Sequence, residues 1–208
     1  MSLRKKVIMN AGSNWMNQFI NAVIVIVFIR IIPRSIGWES YGVWALLSTG
    51  LRYPMILENA FSLSTNRFVA YYHNDKEQLS RYVSASFLIL MLLALLTVII
   101  SIILSFYVKG FFKAIPQNLA YEAQITCILV GVTLSLKILE STFSGALMGY
   151  QYHTRYNSIA GVTNIIRMVL TIVMLRFWNN MISVQIAFVI SALLSLISII
   201  TITMISIP

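Results

Sequence analysis

Residues 82–108 carry no charge at all, and that one run narrows the possible folds more than any other feature. It lies between Arg81 and Lys109 and consists largely of Leu, Ile and Val. An apolar stretch of about 20 residues is what a helix needs to cross the roughly 30 Å hydrocarbon core of a bilayer. Residues 7–29 are also uncharged, and Pro33 closes that segment. Further apolar runs follow to the end of the chain. Reading them in order predicts about six spans, near residues 10–32, 41–72, 81–108, 119–148, 154–177 and 181–205. Polar loops are expected at 73–80 and 109–118, and tight turns at 149–153 and 177–180. The runs are too long for strands and lack the period-two alternation of a membrane barrel. The expected class is therefore all-α: a polytopic membrane protein with residues 1–208 as a single membrane domain.

Composition agrees. Of 208 residues, 59% are hydrophobic and 10% charged, with a mean hydropathy of +0.84. Soluble domains are nearer half apolar and a quarter charged. The net charge of +9 comes from 15 cations and 6 anions, the cations scattered between apolar runs apart from Arg4-Lys5-Lys6. That is not the basic patch of a nucleic-acid binder, and no nucleic-acid partner is expected. The positive-inside rule accounts for the excess.

With the N-terminus inside, the inner segments hold Arg4, Lys5, Lys6, Arg67, Lys76, Arg81 and Arg155. The outer ones hold Arg30, Arg34, Lys109, Lys113 and Arg176. The cluster ahead of the first span favours a cytoplasmic N-terminus, in a multi-pass protein of the cytoplasmic membrane. Residues 1–6 are similar to a signal-peptide n-region. The apolar stretch behind them is too long, and no small-residue cleavage site follows, so the first span is expected to be retained. The single Cys127 allows no internal disulfide.

Polar side chains inside the apolar runs are the candidate functional groups. Asn14, Asn17, Gln18 and Asn21 fall at i, i+3, i+4 and i+7 and share one helical face. Such a stripe serves either as interhelical glue or as the wall of a hydrated cavity; four on one stripe favour the cavity. Arg52 lies roughly 16 Å from the outer end of its helix, near mid-bilayer, with Pro54 beside it to supply a kink. Bare charge at that depth is costly and usually functional. Glu58 is a possible structural partner, although six residues is an awkward separation on a regular helix. Lys137 and Arg167 share a similar depth, and Glu140 can neutralise one or both across an antiparallel hairpin. No zinc motif, nucleophile elbow, phosphate loop or paired-carboxylate site is present. Neither enzymatic activity, nor a catalytic residue, nor a metal, nor a cofactor is expected.

Several segments resemble a known family. Ile36-Gly37-Trp38-Glu39-Ser40-Tyr41-Gly42-Val43-Trp44-Ala45-Leu46 is similar to the segment after the first span of polysaccharide and oligosaccharide (O-antigen-type) flippases. Leu57-Glu58-Asn59-Ala60-Phe61-Ser62, running on to Asn66-Arg67-Phe68-Val69-Ala70, is similar to their second span. The loop at 74–79 and Ala146-Leu147-Met148-Gly149-Tyr150-Gln151-Tyr152 fit two of their cytoplasmic connections. Glu58 replaces the usual Asp, Asn59-Ala60 a common Leu-Gly, and Tyr152 a frequent Arg.

These flippases belong to the multidrug, oligosaccharidyl-lipid and polysaccharide exporter superfamily. The resemblance implies a MATE-like transporter fold, of which this chain is the N-terminal lobe of about six helices. It implies a cationic cavity that receives an undecaprenyl-pyrophosphate-linked oligosaccharide and passes it across the bilayer by alternating access for polysaccharide biosynthesis. Asn14, Asn17, Gln18, Asn21, Arg52, Glu58 and Arg167 are the expected substrate contacts. The expected partners are that lipid-linked glycan, the bilayer, and a second lobe or second copy. The last apolar run stops at Ile207-Pro208, so either a natural half-transporter or the front part of a longer chain is expected. A cation-coupled small-molecule or multidrug extruder is the alternative; a basic cavity favours the flippase. A glycan transferase or polymerase is disfavoured by the lack of an acidic metal motif.

Overall fold

A computed structural model describes residues 3–72, 75–111 and 115–206, and every regular element among them is a helix. In chain order these are α1 (Leu3–Ile36), α2 (Trp38–Gly50), α3 (Pro54–Tyr71) and α4 (Lys76–Phe111). A 3₁₀ turn (Gln117–Leu119) leads into α5 (Ala120–Gly149), and α6 (His153–Phe177) and α7 (Met181–Ser206) follow. Five helices are long and apolar enough to cross a membrane: α1 and α4 to α7, the fifth counted with its 3₁₀ turn. Outward-facing Leu92, Leu95, Ile99, Ile103 and Phe106 give α4 an apolar exterior that a water-soluble bundle would bury.

The expected continuous helix over 41–72 is corrected. It starts earlier, at Trp38, and breaks at 51–53 into α2 and α3. The cause is local. Pro54 has no N–H to give the Gly50 carbonyl, and it sits instead at the start of α3, where a missing donor costs nothing. The backbone tightens across the break, with Arg52 N–H donating to Thr49 O at 3.1 Å and Met55 N–H to Arg52 O at 3.0 Å. At its other end α2 is set off from α1 by Gly37, whose φ of 86° suits glycine.

The loop expected over 73–80 is also shorter than foreseen, because α4 begins at Lys76. The Asp75 carboxylate accepts the Gln78 N–H at 3.1 Å, and Glu77 holds Arg81 at 2.6 Å one turn on. His73 and Asn74 lie outside the described residues. So do 112–114, which include Lys113; Lys109–Phe111 extend α4 instead of starting the loop expected over 109–118. The tight turns fall close to where they were expected. After α5, Gln151 takes a φ of 60°, with Tyr152 N–H donating to Leu147 O and Gln151 N–H to Met148 O. That is a Schellman stop, with glutamine where glycine is usual.

The middle of the bundle is α5. It packs against α4, α7 and α3, and α2 lies across α5, α1 and α7. Small residues let the backbones close up. A Cβ on Gly131 would overlap the Ser101 side chain of α4, while Gly145 and Gly149 lie under Ser62, Asn66 and Val69 of α3. The expected α5–α6 hairpin is corrected too: those neighbours in sequence touch little, and α6 packs along α1 and α7. Helix α1 therefore finds its main partner far along the chain.

Candidate functional site

The break between α2 and α3 opens onto a cavity of about 300 Å³ inside the bundle. Three cations line it: Arg52 from the break, Lys137 from α5 and Arg167 from α6. Trp44, Gln185 and Phe188 complete much of the wall. Arg52 is exposed and forms no ion pair among the described residues. The Arg167 guanidinium lies 5.0 Å over the Phe188 ring, and its buried Nε has no hydrogen-bond partner there. Cation–π contact offsets part of the desolvation of that charge but gives no directional bond to the Nε–H. Lys137 is matched: its Nζ lies 2.7 Å from Glu140 Oε2 and donates to Ser195 Oγ at 3.2 Å. Glu140, expected to neutralise one or both of Lys137 and Arg167, takes one, Lys137.

Glu58 does not pair with Arg52. It points from α3 toward α5, buried to 8% exposure beside Ser141 and Glu140, and it is not among the side chains lining the cavity. The reason is the helix phase: after the break, α3 turns its 58, 62, 65 and 69 side toward the small residues of α5. Arg52, within the break, is free of that phase.

The four-amide stripe of α1 divides. Asn21 accepts from Asn164 Nδ2 at 2.8 Å, and Asn17 sits against Gly161 with a buried Oδ1 that has no partner. Asn14 and Gln18 are exposed. Toward the N-terminus, Thr154 Oγ1 donates to Asn10 Oδ1 at 2.8 Å and Asn157 Nδ2 to Ser13 Oγ at 3.0 Å. The seam to α6 thus runs through 10, 13, 17 and 21, and 14 and 18 lie one helical step off it. Partner separations of 144, 144 and 143 residues keep a constant register, so α1 and α6 run parallel. Asn21 is glue, Asn17 is packed in the seam without a partner for its Oδ1, and Asn14 and Gln18 are left exposed. The matching run in α6, with Thr154, Asn157, Gly161 and Asn164 at three- and four-residue spacing, was readable in the sequence and would have named the partner.

One further residue shapes the cavity without having been singled out. Gln185 of α7 is buried, accepts from Trp44 Nε1 at 3.1 Å and donates to Thr133 Oγ1 at 2.8 Å. It ties α2 to α7 and α5 at the cavity wall. A glutamine within the sixth apolar run was the available signal for it, as an amide in hydrocarbon needs partners.

Chemically, the site combines two guanidinium groups without a carboxylate partner among the described residues, one ammonium that has one, and an aromatic wall. That arrangement suits an anion with several oxygens, because guanidinium forks bind carboxylate or phosphate bidentately. No protein-family model, curated protein or solved structure matches this chain.

Proposed function

We propose that the chain is one lobe of a polytopic transporter of the cytoplasmic membrane, with its N-terminus inside, which helps move a lipid-linked oligosaccharide across the bilayer. One observation carries this reading: Arg52, Lys137 and Arg167 meet from separate segments in one cavity, with a single carboxylate among their ion-pair partners. Arg167, whose Nε is buried without a partner among the described residues, is expensive to hold inside an apolar bundle. A pyrophosphate bridging a prenyl chain and a glycan is an occupant that would offset that cost, and attraction is stronger there than in water because the local dielectric is low. The flippase-like segments at 36–46, 57–70 and 146–152 support the same class. In this reading α2 and α3 together cross the membrane once as a broken helix, the second of six spans, of a kind tolerated where it lines a cavity. The lobe is MATE-like and works with a second lobe or a second copy.

The alternative of a cation-coupled small-molecule extruder draws on Glu58 and Glu140, two buried carboxylates behind the cavity wall. The deciding experiment measures binding of geranylgeranyl pyrophosphate to the complete purified protein by native mass spectrometry. Arg52→Ala with Arg167→Ala should weaken it at least tenfold, and Arg52→Lys should retain part of it. Binding indifferent to both arginines, together with tight binding of a lipophilic cation that Glu58→Gln abolishes, would reverse the choice.

A further inference from the structure

The inner end of α3 carries chemistry that the cavity at the helix break does not use. Arg67 is exposed there and makes no ion pair among the described residues. The acidic groups that follow it are engaged: Asp75 caps α4, and Glu77 holds Arg81. Next to Arg67 the rings of Phe68 and Tyr82 stack at 4.5 Å and 6° between planes, and Tyr72 continues the slab at 5.1 Å and 17°. Tyr71 stands edge-on to Tyr72 and is 78% exposed. A concave space of about 560 Å³ opens at this point, lined by Ser64, Arg67, Phe68, Tyr71 and Tyr72 and by no carboxylate.

This seat is held firmly from behind. The opposite face of α3 is pressed onto α5, with Asn66 and Val69 against Gly149. That contact also fixes its level. The end of α5 turns directly into the start of α6, which lies beside the start of α1, so the seat is at the end of the bundle where the chain's N-terminus is found. By helical rise it is roughly 20 Å from Arg52. One phosphate group cannot touch both.

The chemistry of the seat is selective. A free guanidinium fork binds phosphate oxygens, aromatic faces accept the C–H faces of sugar rings, and hydroxyls of Ser64, Tyr71 and Tyr72 can bond to sugar hydroxyls. The missing carboxylate removes the repulsion that a phosphate would otherwise meet. We infer that the Arg67 seat is a second station, which binds the sugar-phosphate head of the lipid-linked glycan at the inner surface before it reaches the cavity. This rests on the substrate class proposed above.

The test places a photo-crosslinking residue at Leu63, which also lines the seat, in the complete protein in phosphatidylcholine nanodiscs. The probe is prenyl-pyrophosphate-linked N-acetylglucosamine, compared with the same lipid lacking the sugar. The glycosylated probe should give the stronger adduct. Arg67→Ala should lower its yield about tenfold at subsaturating probe, and Arg67→Lys should retain part. Arg52→Ala should leave the adduct unchanged while export in cells is lost. An adduct indifferent to Arg67→Ala overturns the seat. So does an adduct that phosphatidylglycerol displaces with equal efficiency, which would make Arg67 an ordinary headgroup contact. If the adduct depends on Arg67 but export is indifferent to Arg52 and Arg167, the cavity reading fails and the seat stands.

Discussion

Replacing Gly149 by alanine adds one methyl group where α5 and α3 approach closely. The new Cβ would lie 2.6 Å from Val69 Cβ and Cγ1 and 2.9 Å from the Asn66 carbonyl oxygen. Ordinary contact begins near 3.4 Å, so α3 would have to withdraw by most of an ångström. Neither the Val69 Cβ nor a backbone carbonyl can rotate out of the way. Withdrawal would loosen the small apolar cluster of Val69, Leu79 and Ala146 that binds α3, α4 and α5 together. Overpacking of this kind costs about 1–3 kcal/mol, and alanine's better helix propensity returns up to about 1 kcal/mol. The expected net loss is about 1–2 kcal/mol. At about 2–4 °C per kcal/mol for a chain of this size, the melting temperature should fall by several degrees. The assay follows the monodisperse fraction of detergent-solubilised protein after a heating series. Gly12→Ala is the control, since nothing lies within 4 Å of its added Cβ, and it should melt at or above the wild type. If Gly149→Ala behaves like Gly12→Ala, the close approach of α3 and α5 is wrong.

Other expectations follow from the same geometry. Arg52→Ala should leave thermal stability within about 0.5 kcal/mol of wild type, because the arginine is exposed and forms no ion pair among the described residues; a large loss of folded protein would show a hidden structural partner. Glu140→Gln strips Lys137 of its carboxylate and should destabilise by up to about 3 kcal/mol, less than a fully buried pair because Lys137 is one-third exposed. Lys137→Met combined with Glu140→Gln should recover most of that loss, and failure to recover would refute the pairing. Cysteines at Asn14 and Gln18 should react with a water-soluble thiol reagent while one at Asn21 stays protected. Cys127 is buried and gives little background, and equal labelling at all three positions would dissolve the divided stripe. Gln151→Gly should raise stability by up to about 1 kcal/mol by relieving a left-handed glutamine, measured by the same heating series.

The sequence alone determined that the chain is helical and roughly where most of its helices lie, though not the break at 51–53 or the early start of α4. Long uncharged runs set the helices, and interruptions such as Gly37 and residues 150–152 set ends, because these are local effects of hydropathy and backbone chemistry. Pro33, expected to close the first span, lies inside α1, which runs on to Ile36. It also marked the polar groups that an apolar bundle must satisfy or use, since a charge at Arg52, Lys137 or Arg167 stands out in such surroundings. Partners were another matter. That Asn21 meets Asn164, that Glu140 serves Lys137 and not Arg167, and that Glu58 turns away from Arg52 all depend on which helices pack together and in what rotation. Hydropathy is nearly the same on every side of these helices, so it cannot choose among neighbours. Only the tertiary structure, through close approach at Gly145 and Gly149 and the parallel seam of α1 with α6, brings three cations from distant segments into one cavity.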